Sequence, residues 1–125
     1  MNIARLFMGI GSLYIIVGVS IGAYMGGSSD YTLVPVHAHM NLLGFVLMMV
    51  FGFFYHLYPA AAASRLAVAH FWLHQIGTAL LLSLLWLLLS GKIAETAMFP
   101  LAPIVEVMVL LGLVFFAVNV WRHAK

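Results

Sequence analysis

The stretch VHAHMNLLGFVLMMVFGFFYHLYP, Val36 to Pro59, decides the fold of this 125-residue chain. It holds no Asp, Glu, Lys or Arg, and an apolar run of about 20 residues is what a helix needs to cross a bilayer core. Pro35 opens the run as a favoured first-turn residue, and Tyr58-Pro59 closes it. Three further runs have the same character. One goes from Ile3 to about Met25, ahead of the Gly26, Gly27, Ser28, Ser29, Asp30 breaker. Another follows Ser64 and Arg65 and reaches Leu89 before Ser90-Gly91-Lys92. The last passes through Pro100 and Pro103 to Trp121. The expected fold is an all-α membrane protein, a single four-helix bundle with helices at about 3–25, 35–58, 66–89 and 97–121.

Composition agrees with this and excludes much else. Hydrophobic residues make up 66% of the chain and charged residues 6%, where a soluble domain carries about a quarter. The net charge of +2 comes from basic residues spread over the ends and loops. That pattern orients a membrane protein and lacks the basic stripe of a nucleic-acid binder. With no cysteine, disulfides, thiolate metal sites and iron-sulfur clusters are out, so redox chemistry requires a bound cofactor. The first run exceeds the 7–15 residues of a signal-peptide core and reads as a retained helix. Gly9, Gly11, Gly18 and Gly22 on it permit close approach of a neighbouring helix in lipid.

Arg5, Arg65, Arg122 and Lys125 fall on one side of a four-helix topology, and Asp30, Lys92 and Glu95 on the other. The positive-inside rule then places both termini and the Ala60–Arg65 loop in the cytoplasm, with a prokaryotic inner membrane as the expected location.

Function in such a chain is sought at polar residues inside the helices, because each is costly in lipid. Five of the six histidines, His37, His39, His56, His70 and His74, lie on the second and third helices. Two positions along a helix is a turn of about 200°, so His37 and His39 face opposite ways and cannot chelate one ion together. They suit a helix wedged between neighbours, or simply a polar helix end at the interface. Asn41, one turn beyond His37, either orients it or bridges helices. His70 and His74 share a helix face above Gly77, whose missing side chain leaves room for a flat ring. With His56 they form an inner trio, either a weak metal site or a hydrogen-bonded interfacial cluster beside Arg65. His39 and His56 are separated by roughly 25 Å along the helix, so the outer pair and the inner trio cannot share a metal. Because the first helix and the membrane part of the fourth lack His, a bis-histidine haem on the outer side requires a second copy of the chain.

Glu106, inside the fourth helix, is expected to be protonated or hydrogen-bonded, as a proton relay or an inter-helix contact. Met48, Met49 and the Phe51–Tyr55 cluster read as packing. Tyr14, Tyr24, Tyr58, Trp72 and Trp121 read as interface aromatics, and His123 as a solvated tail residue.

The Val36–Pro59 stretch resembles a ligand-bearing helix of the haem-copper oxidase and nitric oxide reductase catalytic subunit. Ala69-His-Phe-Trp-Leu-His-Gln-Ile-Gly77 resembles the next helix in small relatives of that subunit. The resemblance spans Pro35 to Gly77, roughly a third of the chain. The family's subunit arranges twelve helices as three four-helix arcs, and one helix carries a His-x-His pair whose members ligate different haems. The resemblance implies that this chain is one such module and assembles as a homotrimer. It implies haem b between protomers near the outer face, held by His37 of one copy and His39 of the next, with Asn41 beside them. The family's copper ligands, an adjacent His-His pair and a His paired with Tyr, have no counterpart here, so oxidase activity is not implied.

The leading expectation is thus a b-type haem protein for electron transfer, haem handling or diatomic gas binding, with haem, the lipid bilayer and its own copies as partners and no nucleic acid. The alternatives are copper or zinc binding or transport through His56, His70 and His74, with methionines along a copper path, and a structural accessory subunit.

Overall fold

The computed structural model describes residues 1–124. Lys125, counted above among the inner charges, lies outside the described residues. Four helices are long and apolar enough to cross a membrane: α1 (Ile3–Ser28), α2 (Val34–Leu57), α3 (Arg65–Leu89) and α4 (Leu101–His123). A helical turn at Pro59–Ala62 joins α2 to α3, and a 3-10 turn at Glu95–Met98 precedes α4. Leu13, Ile16, Val19, Val50, Phe53, Ile104 and Leu110 point outward over the flanks. So continuous an apolar exterior is foreign to a water-soluble monomer and is what acyl chains solvate.

Local chemistry sets the helix ends. The Asn2 side chain accepts from the Arg5 N–H at 3.0 Å and starts α1. Gly26 and Gly27, expected to break α1, form its last turn instead. A glycine costs about 1 kcal/mol in a helix relative to alanine, which weakens a helix but does not stop it. The stop comes at Ser29, in the left-handed region at φ 56°. In the loop beyond, Thr32 donates from its hydroxyl (2.6 Å) and its N–H (3.0 Å) to Asp30. Those bonds, the hydroxyl's first, hold the Asp30 carboxyl below its usual range. Ser64 caps α3 by accepting from the Ala67 N–H at 3.2 Å. Helix α4 begins at Leu101, not near Ala97. Phe99, which precedes Pro100, is driven into extended backbone (φ −82°, ψ 137°), because a proline disfavours helical geometry in the residue before it.

The bundle consists of two tight helix pairs. In the α1–α2 seam, a Cβ on Gly44 would stand 2.6 Å from Tyr14 Cγ, and Gly11 meets Met48 and Met49. Of the glycines expected to pack, Gly11, Gly18 and Gly22 do so, and Gly9 faces open space. Tyr14 accordingly sits in the seam, half-buried, and not in an interface belt. In the α3–α4 seam, Gly77 is filled by Val109, whose Cγ2 lies 2.8 Å from where a Cβ would be. No space remains there for a flat ring. Phe7, Phe51, Tyr55 and Phe71 join the two pairs in a common core.

Helix α2 is irregular at its centre. Residues Met40–Val46 are π-helical, and the Leu47 N–H reaches back to the Leu42 carbonyl. The Leu43 carbonyl, which an α-helix would pair with Leu47, receives the His74 Nε2–H at 3.1 Å instead. A foreign side chain entering the backbone ladder is a recognised cause of such an irregularity.

Candidate functional site

The N-terminal half of α2 carries His37, His39 and Asn41, and the structure sends the two imidazoles to opposite faces of the helix. His37 turns toward α1 and is half-buried. Its Nδ1–H donates to the Gly18 carbonyl at 2.8 Å. Gly22 makes the ring's position possible, since a Cβ there would stand 2.8 Å from His37 Cε1. His39 turns away from α1 and is exposed. Its Nδ1–H donates to the Pro35 carbonyl at 2.8 Å. A carbonyl can only accept, so each bond places the proton on Nδ1 and leaves a lone pair on Nε2. Anchoring the far nitrogen in this way fixes the tautomer and ring orientation of a metal ligand.

The two are not equally free to act. His39 lines an apolar cleft with Leu81, Leu85, Ala102, Val105 and Glu106. The His37 Nε2 is met by the Asn41 amide nitrogen at 3.2 Å, and Asn41 packs its carbonyl oxygen against Gly18. Asn41 therefore meets His37 on its own helix and touches α1 by packing at Gly18, with no hydrogen bond of its own across the seam among the described residues. Its Oδ1 is buried with no hydrogen-bond partner among the described residues, which makes the amide a weakly held plug over Nε2. Glu106 is exposed and shares the cleft with His39, a side-by-side placement that the sequence spacing did not reveal.

His56, His70 and His74 separate. His56 is exposed and lines a surface pocket with Met1, Asn2, Tyr55 and Pro59. His70 and His74 are fully buried in the core. Among the described residues, no group of three His, Cys, Asp or Glu comes within reach of one ion, so the trio does not assemble. The reason is helical phase: His56 leaves α2 on the face beside Tyr55, and it is Tyr55 that points inward. Tyr55 Oη lies 2.9 Å from His70 Nδ1 and accepts from the Asn119 amide at 3.4 Å. Asn119 also donates to the Ala61 carbonyl (3.1 Å) and accepts from the Ser64 hydroxyl (3.2 Å). Sequence reasoning passed over Asn119 and Thr78, although polar residues in apolar helices are the signal to follow. His123 is half-buried, with its Nδ1–H on the Asn119 carbonyl at 3.0 Å, and is not a free tail residue.

Comparison of the chain with family models, curated proteins and solved structures finds no match. The four membrane-length helices and the placement of their polar side chains define the class, an all-helical membrane protein with histidines at two depths.

Proposed function

We propose that this chain is a b-type haem protein of the membrane, one four-helix module resembling a third of the haem-copper oxidase catalytic subunit. Haem would sit between copies of a homotrimer near the outer face, with His39 of one copy and His37 of the next as axial ligands. One observation carries the reading. Both histidines leave the same helix on opposite faces, and each has its Nδ1–H anchored on a backbone carbonyl. Opposite faces deny a single copy both ligands for one iron, and the anchors make each Nε2 a base.

The donor set fits haem iron: imidazole nitrogens, an apolar cleft beside His39, and a chain with no cysteine to compete. When bound, haem would supply one-electron redox or gas-binding chemistry at iron; two axial histidines leave no open position and favour electron transfer. The chain's own work is to hold both rings, exclude water and withdraw the Asn41 amide from the His37 Nε2. Glu106, in the His39 cleft, is a carboxylate on an otherwise apolar flank, and such groups face a protein or cofactor surface in preference to lipid.

The test is optical. Chain purified in mild detergent is expected to bind haem b near one per chain and to show sharp reduced α and β bands. His39→Ala and His37→Ala are each expected to abolish or alter that spectrum, and His123→Ala to leave it unchanged. A featureless spectrum after haem is offered to the apoprotein would overturn the reading.

A further inference from the structure

His70 and His74 stand one turn apart on α3, both without solvent exposure, with ring centres 5.9 Å apart. Each ring has one nitrogen anchored and the other bare. The His74 Nε2–H donates to the Leu43 carbonyl, so Nδ1 carries the lone pair. His70 Nδ1 lies 2.9 Å from the Tyr55 oxygen, which also accepts from the Asn119 amide; with Nδ1–H donating to that oxygen, His70 Nε2 carries the lone pair. His70 Nε2 and His74 Nδ1 are buried with no hydrogen-bond partner among the described residues. Leaving a buried polar atom without a partner is costly, and two such atoms sit here on neighbouring rings. A far nitrogen held by a carbonyl or hydroxyl and a near nitrogen left bare is how proteins hold an imidazole for a metal.

Chemistry selects the occupant. A buried water makes about three hydrogen bonds, and beyond the two nitrogens this site offers it phenylalanine rings. Phe51, Phe7 and Phe116 lie 4.4, 5.0 and 5.2 Å from the His70 ring, centre to centre. Zinc takes four ligands, and among the described residues no third His, Cys, Asp or Glu joins the pair. A divalent ion held by two neutral nitrogens would also be a buried charge without compensation. A monovalent d10 ion is satisfied by two nitrogens in line and brings a single charge, which aromatic rings help to accommodate. The two rings stand one helical turn apart with centres 5.9 Å apart, near enough for one small ion to reach a nitrogen of each.

We propose that His70 and His74 bind one Cu(I) ion within each protomer, through His70 Nε2 and His74 Nδ1. The Tyr55 hydroxyl and the Leu43 carbonyl of the π-helical segment are its positioning groups. The site uses neither His37 nor His39 and stands whether or not haem is bound.

The experiment offers Cu(I) under ascorbate to the purified full-length chain, in competition with a chromogenic Cu(I) chelator. One tightly held Cu(I) per chain is expected, with two nitrogen neighbours in X-ray absorption. His70→Phe and His74→Phe are expected to lose it, and His39→Ala and His56→Ala to retain it. Tyr55→Phe keeps both ligand nitrogens and is expected to weaken Cu(I) by about tenfold without loss of helical content, a readout independent of whether the histidine variants fold. No Cu(I) binding by the native chain, undiminished binding in both histidine variants, or sulfur neighbours in the absorption spectrum would each overturn the assignment.

Discussion

His37 and Gly22 show how a single residue governs this site. The imidazole lies where a Gly22 side chain would otherwise be, 2.8 Å from the place of its Cβ, and its Nδ1–H holds the Gly18 carbonyl. Forcing extra volume into a packed contact costs about 1–3 kcal/mol. Gly22→Val is therefore expected to lower stability by about that amount, read as a shift in thermal unfolding in detergent. It should also displace His37 and reduce haem per chain. Native stability together with a native haem content in Gly22→Val would show that His37 is not held as described. Asn41 offers the converse test. Its Oδ1 is unpartnered, while its amide nitrogen meets the His37 Nε2 at 3.2 Å. Asn41→Ala removes both and uncovers the His37 Nε2, so that stability is expected to fall by about 1 kcal/mol while haem affinity rises or holds; a collapse of haem binding would make Asn41 a required part of the pocket.

Among the elements, α3 is held at its start by a single side chain. Ser64 caps its first turn and also donates to Asn119 of α4, so one hydroxyl begins a helix and ties it to another. Loss of an N-cap costs about 1 kcal/mol. Ser64→Ala is expected to cost at least that, and Ser64→Asp, which restores the cap alone, to recover part of it; equal stability of Ser64→Ala and the native chain would remove the cap from the account. The π-helical segment Met40–Val46 is the other sensitive element. It hands the Leu43 carbonyl to His74 and so links the helix that carries His37 and His39 to His74 through backbone.

For the whole molecule, topology and assembly are separate expectations. The flanking charges place Ala63 inside and Ser29 outside. Because the chain has no native cysteine, single substitutions report cleanly: Ser29→Cys should react with an impermeant thiol reagent in intact cells, and Ala63→Cys only after permeabilisation. The reverse pattern would invert the topology. Assembly is read by native mass spectrometry, where a haem-loaded homotrimer is expected; a monomer carrying a full complement of haem would defeat ligation between protomers.

Run length and composition alone determined that four helices are long and apolar enough to cross a membrane, because bilayer thickness imposes a length that composition either meets or does not. Opposite faces for His37 and His39 were equally legible, since helical rotation is a local property. The rest waited for tertiary structure. Gly77 read as room for a ring and is filled by Val109; His56 read as a partner of His70 and yields that place to Tyr55. The Leu43 carbonyl is available to His74 only because α2 departs from α-helical register. Phase between helices, and therefore which polar atoms meet in the core, depends on how glycine seams set the packing of α1 on α2 and α3 on α4. No single helix contains that information.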